Sequence, residues 1–121
     1  MDKRTSESFP HSHRIVHSSD YRTIYEEGKK IQSGKFVLFG LENEKSHARL
    51  GITVSRKIGC ASVRNRVKRL FREIFRRSTA EIPNNLDFIV NAKAGCVHAG
   101  FLELREEFIA AAKKAARKTY S

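Results

Sequence analysis

One segment constrains the fold of this chain more than any other, and it comprises residues 62–77. When these residues are placed at 100° intervals, the large apolar side chains gather in one arc, the pattern of a helix with one buried face. They are Val63, Val67, Leu70, Phe71, Ile74 and Phe75. Strand-like sequence lies on both sides of the segment, so we predict a helix that connects two strands.

The strands are indicated by alternation and by short apolar runs. Residues 49–55 alternate between apolar and small or polar side chains, which predicts a strand with one buried face. Residues 35–41 carry apolar side chains on both faces, and residues 86–92 form a similar run after the helix predicted at 62–77. Because only a short polar link separates residues 35–41 from 49–55, we expect these two strands to form an antiparallel hairpin.

Two further helices are predicted near the ends of the chain. Residues 19–27 read as a short helix, with the hydroxyl group of Ser18 or Ser19 as its cap. Gly28 suits the left-handed position that commonly ends a helix. The last helix follows a loop at residues 95–100 and extends to Lys118.

Length and composition favour a single domain. A chain of 121 residues with 40% hydrophobic residues can fill one modest core, which we place in residues 14–121 after a flexible polar tail at 1–13. The N-terminal residues lack the apolar stretch of a secretory signal, and no apolar run reaches the roughly 18 residues of a membrane span. Cys60 and Cys96 form no metal-binding pair, so we expect free thiols in a cytoplasmic protein.

The charge is concentrated in one place. The formal net charge is +11, and residues 56–77 hold nine bases and one acid, a net +8. Arg64, Lys68 and Arg72 are spaced four residues apart, so their like charges repel on a helix. Such a surface is poor for stability alone and indicates a polyanionic partner, most simply nucleic acid.

RNA is the favoured partner, and two other classes stay open. A major-groove DNA reader of the helix-turn-helix type needs a helix just before the basic one, whereas a strand and a loop precede it here. The strand–helix–strand context with nearby aromatic residues favours RNA or single strands. The alternatives are a DNA-binding regulator and a structural, ribosomal-type RNA-binding protein. The predicted RNA-binding residues are Arg56, Lys57, Arg64, Asn65, Arg66, Lys68, Arg69, Arg72 and Arg76.

No catalytic residue and no protein-bound metal is predicted. The sequence has no histidine pair placed for acid–base work on RNA and no carboxylate cluster suited to two metal ions. The spacing of His11, His13 and His17 fits neither a zinc finger nor an HExxH site, so we interpret them as part of the polar tail.

An ordered set of short motifs runs through the chain. Those of the basic segment are Lys57-Ile58-Gly59, Arg64-Asn65-Arg66, Lys68-Arg69 and Arg72. Before it, Tyr21 and Tyr25 precede Gly28, and apolar runs occupy residues 36–39 and 87–90. Over residues 14–118 the set closely resembles the bacterial ribonuclease P protein component. Two positions depart from that pattern: Cys60 stands where the family often has Asn, and Asn91 where it usually has an aliphatic residue.

The resemblance implies a fold of the α+β class. It is a small single-domain α/β sandwich in the order α-β-β-β-α-β-α, with a left-handed βαβ crossover through the basic helix. The additional strand lies either near residues 28–35 or within the loop before that helix.

The resemblance also implies a function, the removal of the 5′ leader from precursor tRNA by a ribonucleoprotein. Its RNA subunit carries the chemistry, with Mg²⁺ bound through the RNA, and the partners are this catalytic RNA and precursor tRNA. Arg66, Arg69 and Arg76 would meet the catalytic RNA. A cleft for the leader would be lined by Tyr21, Tyr25, Phe39, Asn65, Lys68, Arg72 and Lys93. By residue pattern alone, ordinary helix-to-sheet packing is the favoured interpretation of the two tyrosines, and the resemblance reverses that preference.

Overall fold

The computed structural model describes residues 13–45 and 47–116. The elements follow the predicted order. They are α1 (Ser18–Glu27), β1 (Lys29–Gln32), β2 (Phe36–Glu42), β3 (Arg49–Thr53), α2 (Ala61–Arg77), β4 (Leu86–Ala92) and α3 (Phe101–Ala116). The additional strand is β1, one of the two positions that the resemblance allowed. None of the described helices has the length and apolar content that a membrane crossing requires.

The four strands form one sheet in the order β1-β2-β4-β3. The predicted hairpin between β2 and β3 is wrong, because β4 lies between them, antiparallel to β2 and parallel to β3. The reason is burial: β2 and β4 are largely covered and occupy the centre, while the shorter β1 and β3 take the edges. The antiparallel hairpin is instead β1–β2, closed by a hydrogen bond from the Ser33 amide to the Phe36 carbonyl oxygen (2.9 Å).

Each face of the sheet has its own core. Helices α2 and α3 cover one face. Most of the apolar arc predicted for α2 is buried there, together with the apolar side of α3. Helix α1 covers part of the other face, and there Ile15, Ile24 and Ile89 form a smaller cluster. The uneven cover leaves part of the α1 face open.

The ends of α1 differ from the prediction. Its N-cap is His17, and no side chain there donates or accepts a capping hydrogen bond. Gly28 is extended (φ −77°, ψ 162°) rather than left-handed. Glycine is required for a different reason: a Cβ at Gly28 would lie 2.5 Å from the Ile24 carbonyl oxygen and 3.0 Å from that of Gly40. The close approach lets the chain pass from α1 directly into β1.

The N-terminal segment joins the sheet at its β3 edge. The Ile15 amide donates to the Leu50 carbonyl oxygen (3.1 Å), and the His13 ring lies 4.5 Å from the ring of His47. Burial and the neighbouring His47 lower the pKa of His13. Of the predicted tail, residues 1–12, including His11, lie outside the described part of the chain.

Glu107 links α3 to the β1–β2 turn, and this contact should make stability depend on pH. Ser33 Oγ donates to Glu107 Oε1 (2.5 Å), and Lys35 Nζ lies 3.0 Å from Oε2. These contacts lower the pKa of Glu107. Because the pKa is lower in the folded state, the Glu107 carboxylate stabilises the fold at pH values above its unfolded pKa of about 4.3. This contribution is lost as the pH falls through the lower pKa of the folded state.

Glu107→Gln should therefore lower the melting temperature at pH 7, and the difference from the unmodified protein should vanish at low pH. Thermal melts at pH 7 and about pH 3 check this. Glu106→Gln is the matched control, because Glu106 is exposed on the same helix. An equal loss at both pH values would show that the carboxylate charge of Glu107 contributes nothing.

Candidate nucleic-acid interface

Helix α1 crosses the sheet along one row of paired residues. The register aligns Gly51, Ile89 and Phe39 across β3, β4 and β2. Tyr21 lies over Gly51, and the ring of Tyr25 meets that of Phe39 edge to face, with centroids 4.9 Å apart. The i, i+4 spacing of the two tyrosines therefore places one on an edge strand and the other near the centre.

The next row of the sheet lies beyond the cover of α1. The register pairs Thr53 with Asn91 and Asn91 with Val37. Tyr25 reaches this row: its hydroxyl donates to Asn91 Oδ1 (2.8 Å) and lies 3.4 Å from Thr53 Oγ1. Tyr25 is still 37% exposed. The result is an open surface formed by the ring of Tyr25 and the polar side chains of Thr53 and Asn91, which we call the cleft.

The surface next to the cleft, on its Tyr21 side, is positively charged. Beside Tyr21 lies a cavity of about 280 Å³, and Arg14, Lys68 and Arg72 are the charged residues among those that line it. Burial, followed by the nearby charge of Arg14, lowers the pKa of Arg72. Burial raises the pKa of Tyr21. The predicted grouping of Lys68 and Arg72 with Tyr21 is what the structure shows.

The opposite flank of α2 carries other bases. Arg66 and Arg69 line a groove that faces the turn Ala94–His98. Arg76 is half-buried and bound to Glu73, with Nη2 2.6 Å from Oε2. Arg76, followed by Arg77, lowers the pKa of Glu73. The charge of Arg76 is therefore partly offset within the protein.

The remaining predicted site residues lie in two places, the N-terminal end of α2 and the β1–β2 turn. Arg64 donates from Nη1 to the Gly59 carbonyl oxygen (3.0 Å), which ties the helix to the preceding loop. Arg56, Lys57 and Asn65 are exposed at the same end of α2. Lys93 donates to the carbonyl oxygen of Ser33 (2.8 Å) and holds the β1–β2 turn. Its ammonium group thus lies at that turn rather than against the tyrosines.

Cys60 immediately precedes α2 and is exposed, whereas Cys96 is buried. Hydrogen bonds from the Ser62 hydroxyl and from backbone amides lower the pKa of Cys60 to about 7. Burial raises the pKa of Cys96. Within the described residues, no group of three or more His, Cys, Asp or Glu could hold a metal ion.

Sequence reasoning missed Arg14 and Thr53. The alternation of residues 49–55 carries a signal for Thr53, because it shares a face with Gly51, away from the core. Arg14 has no such signal: it follows a polar tail, and a bridge between Arg14 and Leu50 places it beside the sheet.

Comparison with known proteins identifies the family. The family model for ribonuclease P matches residues 9–116. The chain belongs to the ribonuclease P protein family. The ribonuclease P protein component of Streptococcus pneumoniae (strain Hungary19A-6) is 34% identical over 96 residues, 79% of this chain and 78% of the relative.

Solved structures of ribonuclease P proteins share the fold. That of Thermotoga maritima is 35% identical, with a TM-score of 0.77, and covers 84% of this chain and 96% of its own. A Staphylococcus aureus variant is 29% identical, with a TM-score of 0.81, and covers 95% and 98%. The chain is thus a ribonuclease P protein component of the bacterial type, which supports ribonuclease P activity as part of a complex and has a role in precursor tRNA processing.

Gly51→Ala tests how Tyr21 is seated in this ribonuclease P protein. A Cβ at Gly51 would lie 2.5 Å from Tyr21 Oη and 2.8 Å from Cζ, so the stiff ring must move. We expect the free energy of unfolding to fall by about 1–3 kcal/mol, the usual cost of overpacking. Denaturant unfolding measures it, with Gly34→Ala as the matched control, since a Cβ at Gly34 meets nothing within 4 Å. Equal stability of the two variants would show that Tyr21 is loosely held.

Proposed function

We propose that this chain holds the 5′ leader of precursor tRNA in the cleft while the other flank of α2 binds the catalytic RNA. The observation that carries the proposal is the division of the helix cations. Lys68 and Arg72 border the cleft beside Tyr21, whereas Arg66 and Arg69 face the turn at residues 94–98. One helix thus offers cationic surfaces to two different RNA segments.

The composition of the cleft suits a single strand. Tyr25 is partly exposed and offers a ring on which a base can stack, a contact that tolerates any base. Thr53 and Asn91 offer polar groups on the floor. Lys68 and Arg72 lie beside Tyr21 at the border of the cleft, where they can bind the phosphates of the same strand.

We further propose that the RNA partner carries out the cleavage. Three partly buried carboxylates in the described part of the chain form ion pairs within the protein: Asp87 binds Arg49, Glu73 binds Arg76, and Glu107 binds Lys35. Mg²⁺ bound through the RNA would supply an activated water for phosphodiester hydrolysis. Two free thiols suit the cytoplasm, where precursor tRNA would be met.

Reconstitution tests the proposed function against a purely structural RNA-binding role. The purified protein, added to its cognate catalytic RNA at low magnesium concentration, should restore cleavage of precursor tRNA at the mature 5′ end. Binding to the RNA without restored cleavage would favour the structural role. Selective binding to a DNA duplex would instead favour a regulator.

Tyr25→Ala should weaken binding of precursor tRNA to the complex of protein and catalytic RNA. Loss of one base–ring stack costs about 1–3 kcal/mol. The affinity for mature tRNA, which has no leader, should not change. Equilibrium binding to both RNAs measures the difference, and a melting curve records stability.

Tyr25→Phe is the matched control for the leader contact. It keeps the ring but removes the hydroxyl that donates to Asn91 Oδ1, so most of the affinity should return. If Tyr25→Ala lowers both affinities equally and the melting temperature collapses, Tyr25 is a packing residue.

A further inference from the structure

The groove on the Arg66 flank of α2 has a mixed lining. It lies between the helix and the turn Ala94–His98, and its volume is about 460 Å³. Its apolar lining consists of Val67, Leu70, Cys96, Val97 and Ala99. Its charged residues are Arg66, Arg69 and Glu73. The groove therefore combines an apolar floor with a charged rim.

The charged rim of the groove carries a net positive charge, because its acid is paired with arginines outside the lining. Glu73 is the one acid of the lining, and it is bound to Arg76 (2.6 Å) and Arg77 (2.5 Å). Arg66 and Arg69 are exposed, and no acid within residues 13–45 and 47–116 forms an ion pair with either. Two guanidinium groups thus face solvent at the edge of an apolar hollow.

This combination matches one ligand chemistry, a flat aromatic group joined to an anion. A regular RNA helix would meet the arginines with its phosphates and leave the floor empty, because its bases are stacked inside. An unpaired nucleotide can turn its base outward, onto apolar side chains and guanidinium planes. The volume lies in the range of sites that take one small ligand, roughly 300–1,000 Å³.

We propose that the groove receives one unpaired nucleotide of the catalytic RNA. The base lies against Val97, Ala99 and Leu70, and the adjoining phosphates lie on Arg66 and Arg69. The inference rests on the proposed function, since it names how the α2 flank recognises that RNA. The base contact adds affinity that does not depend on counterion release, unlike the phosphate contacts.

Filling the groove tests this directly. Ala99→Phe places a ring on the floor without changing the charge. The affinity for the catalytic RNA should fall roughly tenfold or more, in line with the loss of one seated base. The slope of log K against log salt should stay the same, because Arg66 and Arg69 still meet their phosphates. Val97→Thr, which makes the floor polar at nearly constant volume, should also lower the affinity. It serves as the test if Ala99→Phe does not fold.

Chemical probing of the RNA gives a second readout. Reagents that modify the Watson–Crick edges of unpaired bases should find one base protected by the unmodified protein. That base should react again in the complex with Ala99→Phe. The matched control is Ala110→Phe, at an exposed position of α3 away from the groove, and it should preserve both protection and affinity.

The outcomes separate this inference from the proposed function. If the unmodified protein shows no salt-dependent binding to the catalytic RNA, both are overturned. If it binds but Ala99→Phe and Val97→Thr leave affinity and protection unchanged, only the nucleotide site is wrong. That second result is also the one expected if the groove takes a protein instead.

Discussion

Asp87→Ala should remove about 3 kcal/mol from the free energy of unfolding, because it takes the two-point carboxylate partner from a largely covered arginine and leaves only the more distant Asp20. Arg49 donates to Asp87 from Nε (2.8 Å) and from Nη2 (2.6 Å), a two-point contact. The side chains are only 14% and 8% exposed. Asn43 also donates to Asp87 (2.6 Å), and Arg49 lies 3.6 Å from Asp20 of α1. The pair joins α1, both parallel strands and the β2–β3 loop.

Urea unfolding measures the loss, and a second variant separates the charge from the packing. Replacing both partners, as in Arg49→Met with Asp87→Leu, leaves no buried unpaired charge, since Asp20 is exposed enough to be solvated, and should recover much of the stability. A loss below 1 kcal/mol for Asp87→Ala would mean that the pair is effectively solvated.

Replacing Arg66 and Arg69 together with alanine should weaken binding to the catalytic RNA and make it less sensitive to salt. With one phosphate contact each, the magnitude of the log K against log salt slope should fall by about 1.8, at roughly 0.9 per contact for a duplex-like site. Stability should hardly change, because relief of repulsion among the α2 cations offsets lost side-chain packing. Filter binding across a salt series measures the slope.

The matched control for this double variant removes the same charge elsewhere. Lys113 and Lys114 are exposed near the end of α3, and their replacement with alanine should leave the slope unchanged. If the two double variants behave alike, the effect belongs to net charge rather than to the α2 flank.

Helices were predictable here because their signal is local. The arc of α2 needed no knowledge of the partner surface, and its predicted start at Ser62 is one residue from the observed Ala61. Strand order is not local. The short link after β2 favoured pairing with β3, but β2 and β4 each need cover on both faces and therefore pair with each other at the centre. The left-handed crossover rests on the resemblance alone.

The candidate site was predicted in part, for a related reason. Helical spacing brought Tyr21 and Tyr25 to one face and Lys68 and Arg72 to one flank, and the structure confirms both groupings. Lys93 instead binds the β1–β2 turn. This contact could not be predicted, because the position of the turn depends on β1, a strand that the sequence located only loosely. Asn91, which departs from the family pattern, meets Tyr25.

The most direct test of the central claim is a crosslink from the cleft floor to the leader. Thr53→Cys, in a Cys60→Ser background that removes the exposed thiol, can carry a photoreactive group on the cleft floor beside Tyr25. Leu102→Cys on α3, which covers the opposite face of the sheet, is the control. In the reconstituted complex with precursor tRNA, the group at position 53 should mark leader nucleotides, and the group at position 102 should not. Crosslinks from position 53 to the mature tRNA body or to the catalytic RNA alone would contradict the account.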